Sequence, residues 1–269
     1  MLGIDLRELK LNAVEWLKKR WLSAGIKSED FILLHSNIVR TLGLLKRNRY
    51  EPSVDIILES FMQAVGKNGT ILFPLFNLDF IRGVTFDIRT TKSQMGALTE
   101  AARNHPKAIR TGHPIYSFCA IGKLANNFKG LDNVSGYGAD SPFGMLRELD
   151  GKIAVLDIVE NNSMTFHHHV EEMMLVSYRY MKNFEADYID YNGFRKKKSY
   201  SIYVRDLDKN IETELKPIGD KLWEASIYKG DYPNIKTGLR LARANDIYDY
   251  VSNVIAQGNA LGNLYKIGG

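Results

Sequence analysis

The chain has 269 residues, 45% of them apolar and 25% charged, the proportions of an ordinary globular protein large enough for one sizeable core. A net charge of +5 and a pI near 9.0 would favour anionic ligands only if the cations cluster, so nucleic acid is not expected as a partner. One cysteine, Cys119, excludes an internal disulfide framework or a cysteine zinc cluster, and the chain shows neither an apolar run of about 20 residues nor a signal-peptide pattern, so a cytoplasmic protein without membrane contact is expected.

In chain order, Val14, Trp16, Leu17, Trp21 and Leu22 recur on one helical face, and Gly25 supplies a stop before the apolar run Phe31-Ile32-Leu33-Leu34, a strand. After a polar turn, residues 54–65 repeat the helical spacing and end near Gly66. Lys67-Asn68-Gly69 then turns the chain into the strand Thr70-Ile71-Leu72-Phe73, closed by Pro74. Residues 96–103 read as helix, and 115–121 and 152–158 as strands, the second an apolar run of the kind found inside a sheet. Beyond Tyr191, residues 196–205 alternate, which predicts a late β-hairpin and a mixed rather than purely parallel sheet. A last helix covers 246–255, and the Gly- and Asn-rich tail 258–269 is expected to fray. No repeat or linker divides the chain, so the expectation is an α/β fold in one domain, 1–269, with a mixed central sheet flanked by helices.

Three of the six histidines stand together, His167-His168-His169, followed by Glu171 and Glu172. On a helix His168 shares a face with either glutamate, and His167 with Glu171. A carboxylate beside an imidazole fixes its tautomer and raises its basicity, as proton abstraction near neutral pH requires. Spacing alone does not choose the base, and such pairs are more often ordinary surface or core pairs. No further histidine or cysteine set completes a metal shell, so no metal is expected. Ser36, Asn37 and Arg40 follow the first strand, where polar groups can line a ligand crevice, although a capped turn accounts for them equally. Cys119 lies in an apolar strand and reads as packing rather than as a nucleophile.

The order of several blocks goes further. The chain carries Leu34-His35-Ser36-Asn37-Ile38, then Gly69-Thr70-Ile71-Leu72-Phe73-Pro74-Leu75-Phe76, then Phe86-Asp87 with Thr91-Lys92-Ser93-Gln94-Met95-Gly96. Arg110-Thr111-Gly112-His113-Pro114 comes next, and Thr165-Phe166-His167-His168-His169-Val170-Glu171 last. This succession resembles the antibiotic N-acetyltransferase family, known for aminoglycoside 3-N-acetyltransferases, over roughly residues 12 to 255.

The resemblance implies a fold distinct from that of the GNAT acetyltransferases, and acetyl-CoA or another acyl-CoA as donor to an amino-sugar acceptor, without a metal. Its T-x-x-H-x-x-E register selects His168 as general base, Glu171 as its orienting carboxylate and Thr165 as an oxyanion donor. Ser36, Asn37 and Arg40 become candidates for the donor's phosphates, Phe73, Pro74 and Phe76 for the border of the pantetheine arm, and Asp87 and His113 for the acceptor cleft. The family's usual second serine is Asn37 here, and Asp157 stands where the family often has glycine. These departures bear on the acceptor, either an aminoglycoside or a nucleotide-linked amino sugar. The cations around 46, 47, 49 and 195–198 favour the latter. A homo-oligomer is compatible with the sequence, which fixes no assembly state.

Overall fold

The computed structural model describes residues 6–232 and 238–268. In chain order its strands are β1 (Phe31–Ser36), β2 (Thr70–Pro74), β3 (Phe86–Asp87), β4 (Ile109–Arg110), β5 (Phe118–Gly122), β6 (Lys152–Leu156), β7 (Arg179–Ile189), β8 (Arg195–Arg205), β9 (Ile211–Thr213), β10 (Lys229–Gly230), β11 (Leu239–Arg243) and β12 (Tyr265–Ile267). Its α-helices are α1 (Leu6–Ala24), α2 (Val39–Arg47), α3 (Val54–Val65), α4 (Ala97–Arg103), α5 (Pro142–Glu148), α6 (Glu160–Ser163), α7 (Phe166–Met173), α8 (Lys216–Glu224) and α9 (Ala244–Ala256).

The central sheet has the order β10-β11-β6-β1-β2-β5-β4. Strands β6, β1 and β2 run parallel, and β11 and β5 flank them antiparallel. Both faces of the parallel centre are covered, which is why β1 reads as an unbroken apolar run rather than an alternation. Phe31 and Leu33 enter one core with Phe143, Phe166 and Ile247, while Ile32 and Leu34 enter the other with Trp21, Ile57 and Phe61. Trp21 stacks on Phe61, their centroids 4.5 Å apart, where α1 crosses α3. Its buried indole N–H donates to Ser60 Oγ at 2.8 Å. Ser60→Ala leaves that donor buried without an acceptor, so a loss of about 1–3 kcal/mol in urea unfolding is expected.

Several sequence boundaries move for local reasons. Helix α2 replaces the polar turn: Thr41 and Leu45 are buried, and Asn37 Oδ1 accepts the Val39 N–H at 3.1 Å. The strand expected over 115–121 starts only at Phe118, because His113 Nδ1 accepts the N–H groups of Ile115 and Tyr116 and holds that stretch as a turn. The strand expected over 152–158 stops at Leu156, because Asp157 is left-handed, with φ of 53°. A non-glycine residue is uncommon in that conformation, and glycine adopts it freely. The hairpin is present as β7 and β8 but joins β3 in a separate sheet, so the mixed character of the central sheet comes from β5 and β11. The tail does not fray over 260–267: Leu264 is buried and β12 pairs with β9, and Gly269 lies outside the described residues.

Candidate active site

Strand β1 is the switch point of the sheet, since the chain leaves it towards β2 on one side and later returns at β6 on the other. In open α/β sheets ligands bind beyond the carboxyl ends of the strands at such a point. A cleft of about 540 Å³ lies there, lined by His35 and Ser36 at the end of β1, Pro74 at the end of β2, and Gln94, Ile158 and Asn162. His35 Nε2 and Ser36 Oγ are buried without a hydrogen-bond partner. A ligand with amide groups would satisfy both atoms, which otherwise cost desolvation energy.

The three histidines open α7 and serve three different partners, as residues 100° apart on a helix must. His167 is buried and its Nε2 lies 3.1 Å from Glu160 Oε1, while His169 is buried and its Nδ1–H donates to the Tyr137 carbonyl at 2.7 Å. His168 is the one that reaches solvent, with its side chain 17% exposed. Its Nδ1 lies 2.7 Å from Glu171 Oε2. The carboxylate accepts, so the proton sits on Nδ1 and the Nε2 lone pair is left as a base. Glu171 is fully buried, and its Oε2 also stands 2.7 Å from Arg179 Nε. Burial opposes ionisation of Glu171, but the Arg179 charge and the His168 bond outweigh it and hold its pKa below the ordinary value. Burial first and the Arg179 charge second lower the His168 pKa to about 4, against the raising influence of Glu171, so the ring is neutral at pH 7. Glu172, outside the dyad, accepts from Ser135 Oγ at 2.7 Å, and burial pushes its pKa up.

A path of aromatic contacts joins the cleft to this dyad. His35 meets Phe76 at 6.3 Å, Phe76 meets Tyr116 at 4.7 Å, Tyr116 meets Tyr137 at 4.7 Å, and Tyr137 tilts over His168 at 5.4 Å. Pro74 lines the cleft and Phe76 is buried behind it against the His35 ring, whereas Phe73 points into the core on the other face of the sheet with Ile32 and Ile71. Thr165 stands partly buried at the start of α7, with no side-chain capping bond. Ser36 and Asn37 line the cleft, and Arg40 lies outside the lining, 44% exposed and 3.6 Å from Asp157.

Asp87 and His113 are placed apart from the dyad's direct contacts. The Asp87 carboxylate is clasped by Arg89 at 2.8 and 3.0 Å, and that bond, opposed by burial, holds its pKa low. His113 is sealed, with Nδ1 spent on the turn described above and its pKa lowered to about 4 by burial. Arg179, Tyr137 and His35 are the neighbours that sequence reading did not assign. His35 alone had a signal, its place in the block after β1. Among the described residues no group of three or more His, Cys, Asp or Glu side chains is placed to hold a metal, and no described helix is long and apolar enough to cross a membrane.

Burial lowers His35 to about 3 and His113, His168 and His169 to about 4. The unfolded chain takes up these protons near the ordinary 6.5, so this contribution to stability is complete above that pH and is lost as pH falls towards 4. The urea midpoint is therefore expected to drop between pH 7 and pH 4.5. A level or rising midpoint would contradict the neutral assignments.

Residues 33–256 match the family model described as Aminoglycoside 3-N-acetyltransferase. A curated Bacillus subtilis (strain 168) relative, the SPbeta prophage-derived aminoglycoside N(3')-acetyltransferase-like protein YokD, is 24% identical over 166 residues, 53% of this chain, and the chain spans 59% of that relative's length. Among solved structures, AAC-IIIb in a binary complex with CoASH superposes with a TM-score of 0.77 at 20% identity, over 91% of this chain and 96% of that one. Sisomicin-bound AAC-VIa does so with a TM-score of 0.76 at 19% identity, over 91% and 98%. At these identities the likeness to solved structures is one of fold.

Proposed function

Because the chain belongs to the aminoglycoside 3-N-acetyltransferase family, we propose that it is an acyl-CoA-dependent N-acyltransferase that moves an acetyl or other short acyl group onto an amino group of a sugar. The observation that carries this reading is the His168–Glu171 pair at 2.7 Å, with His168 neutral and the solvent-reaching member of its cluster. In this reading His168 Nε2 accepts the proton of the amine as its nitrogen attacks the thioester carbonyl. Glu171 holds the ring through Nδ1 and offsets the positive charge that forms on it. The Thr165 hydroxyl is the proposed donor to the oxyanion, a role typically worth about 3 kcal/mol of barrier. His168 then returns the proton to the departing sulfur, which leaves the base ready for another turnover.

On the donor side, the orphaned His35 Nε2 and Ser36 Oγ suit the amides of a pantetheine arm, with Pro74 and Phe76 along it and Asn37 and Arg40 towards the phosphates. On the acceptor side, Arg195, Lys197 and Lys198 are paired with Asp187, Glu185 and Asp132, so the basic hairpin offers less attraction for a nucleotide phosphate than its sequence suggests. An aminoglycoside is the favoured acceptor. Asp87 is held by Arg89, and His113, buried with Nδ1 spent on its turn, keeps a partnerless Nε2 for the acceptor cleft.

The test is thiol release from acetyl-CoA with a panel of aminoglycosides and nucleotide-linked amino sugars. Release stimulated by aminoglycosides is expected. Stimulation by nucleotide-linked amino sugars alone would move the acceptor class, and no stimulation by either would overturn the reading.

A further inference from the structure

Arg179 is the first residue of β7 and is buried against the dyad. Its Nε stands 2.7 Å from Glu171 Oε2, the same oxygen that holds His168 Nδ1. Its other nitrogens donate to the Tyr203 carbonyl on β8 at 3.1 Å and to Thr213 Oγ1 on β9 at 3.3 Å, so two further strands fix the guanidinium in place.

Other titratable groups near His168 and Glu171 are Tyr137 from the loop before α5, His167 on α7 itself, Tyr178 from the turn before β7, and Tyr203 on β8. Burial pushes all three tyrosines up, so they are neutral at any working pH, and His167 faces Glu160. Among these groups Arg179 therefore carries the permanent positive charge. A buried carboxylate alone beside an imidazole would draw a second proton onto the ring, because the resulting ion pair is favoured where water is scarce. A protonated ring has no lone pair with which to take a proton from an amine.

We propose that Arg179 is a positioning residue for the acyl transfer: it neutralises Glu171, so that the carboxylate orients the His168 ring without drawing a proton onto Nε2. The inference rests on the acyltransfer reading for its consequence in turnover, but its electrostatic content concerns His168 in the free protein. Arg179 acts through Glu171 and touches no substrate in this account. The low pKa of His168, to which the Arg179 charge contributes after burial, agrees with the geometry.

The test compares wild type with Arg179→Gln and Arg179→Lys by NMR titration of the imidazole resonances, the His168 signal being assigned by its loss in His168→Asn. His168 in the Gln variant is expected to titrate about one pH unit or more above wild type, and in the Lys variant, which keeps the charge, close to wild type. The acid limb of kcat/KM should move with it, while the rate on the alkaline plateau survives. A ring that titrates alike in wild type and Gln variant overturns the proposal, as does a Gln variant that loses the plateau rate with its acid limb unmoved. If the Gln variant does not fold, the Lys variant decides: a shift of about one unit or more there would show that charge is not what Arg179 contributes. Absence of thiol release in wild type would remove the acyltransfer reading and this role with it, whereas failure of the titration alone leaves that reading standing.

Discussion

His168→Ala is expected to lower kcat for thiol release by about 10²- to 10⁴-fold, the usual worth of a general base, while leaving the binding of CoA nearly unchanged. The split follows from position. His168 and Glu171 are not among the residues that line the cleft at the ends of β1 and β2, and the aromatic contacts through Tyr137, Tyr116 and Phe76 join the two. Alanine also leaves Glu171 with its Arg179 partner, so no uncompensated charge is created and the fold should persist. Steady-state kinetics and calorimetric titration with CoA separate the two terms. Equal loss of binding and turnover would place His168 in the donor site instead, and undiminished turnover would remove it from the chemistry.

How much of this was legible in the sequence depended on the range of the interaction. The parallel centre could be read from runs such as Phe31-Ile32-Leu33-Leu34, because burial on two faces leaves its mark on consecutive residues. The His168–Glu171 contact was one of several that helical spacing allowed, and the block register selected it; the structure separates the candidates by burying His167 and His169 on other partners. Helix α2 was missed because Gly43 interrupts a short pattern whose buried residues are only Thr41 and Leu45. Arg179 was missed for a different reason. It meets Glu171 across the turn between α7 and β7, and such pairing depends on tertiary geometry that no periodicity encodes. The tail misled through composition: its glycines and asparagines suggest fraying, yet Leu264 gives it one buried anchor and β9 offers a free edge.

The same helix rests on a second buried charge, and the largest stability effect is expected there. Glu160 Oε1 accepts from Tyr228 at 2.6 Å and His167 at 3.1 Å, and its Oε2 accepts from Arg240 at 3.0 Å. Burial opposes its ionisation, but the His167 bond and the Arg240 charge prevail and keep its pKa below the ordinary carboxylate value. Arg240 is itself 1% exposed and is also tied to the Ile158 carbonyl and Ser163 Oγ. Glu160→Ala would strand that guanidinium in the interior, where loss of one partner costs about 3–5 kcal/mol. Against a net stability of about 5–15 kcal/mol this is a large fraction, and a fall in Tm on the order of 10 °C is expected. Replacing both charges, Glu160→Met with Arg240→Met, should cost less than the sum of the single changes, because no isolated charge remains and methionine fills the space. Urea unfolding of the four proteins in a double-mutant cycle gives the coupling directly. Additive losses would mean that the two side chains do not act as a pair, and α7 would then be held by its apolar contacts through Phe166 and Val170 and by the bonds of His169, Glu171 and Glu172.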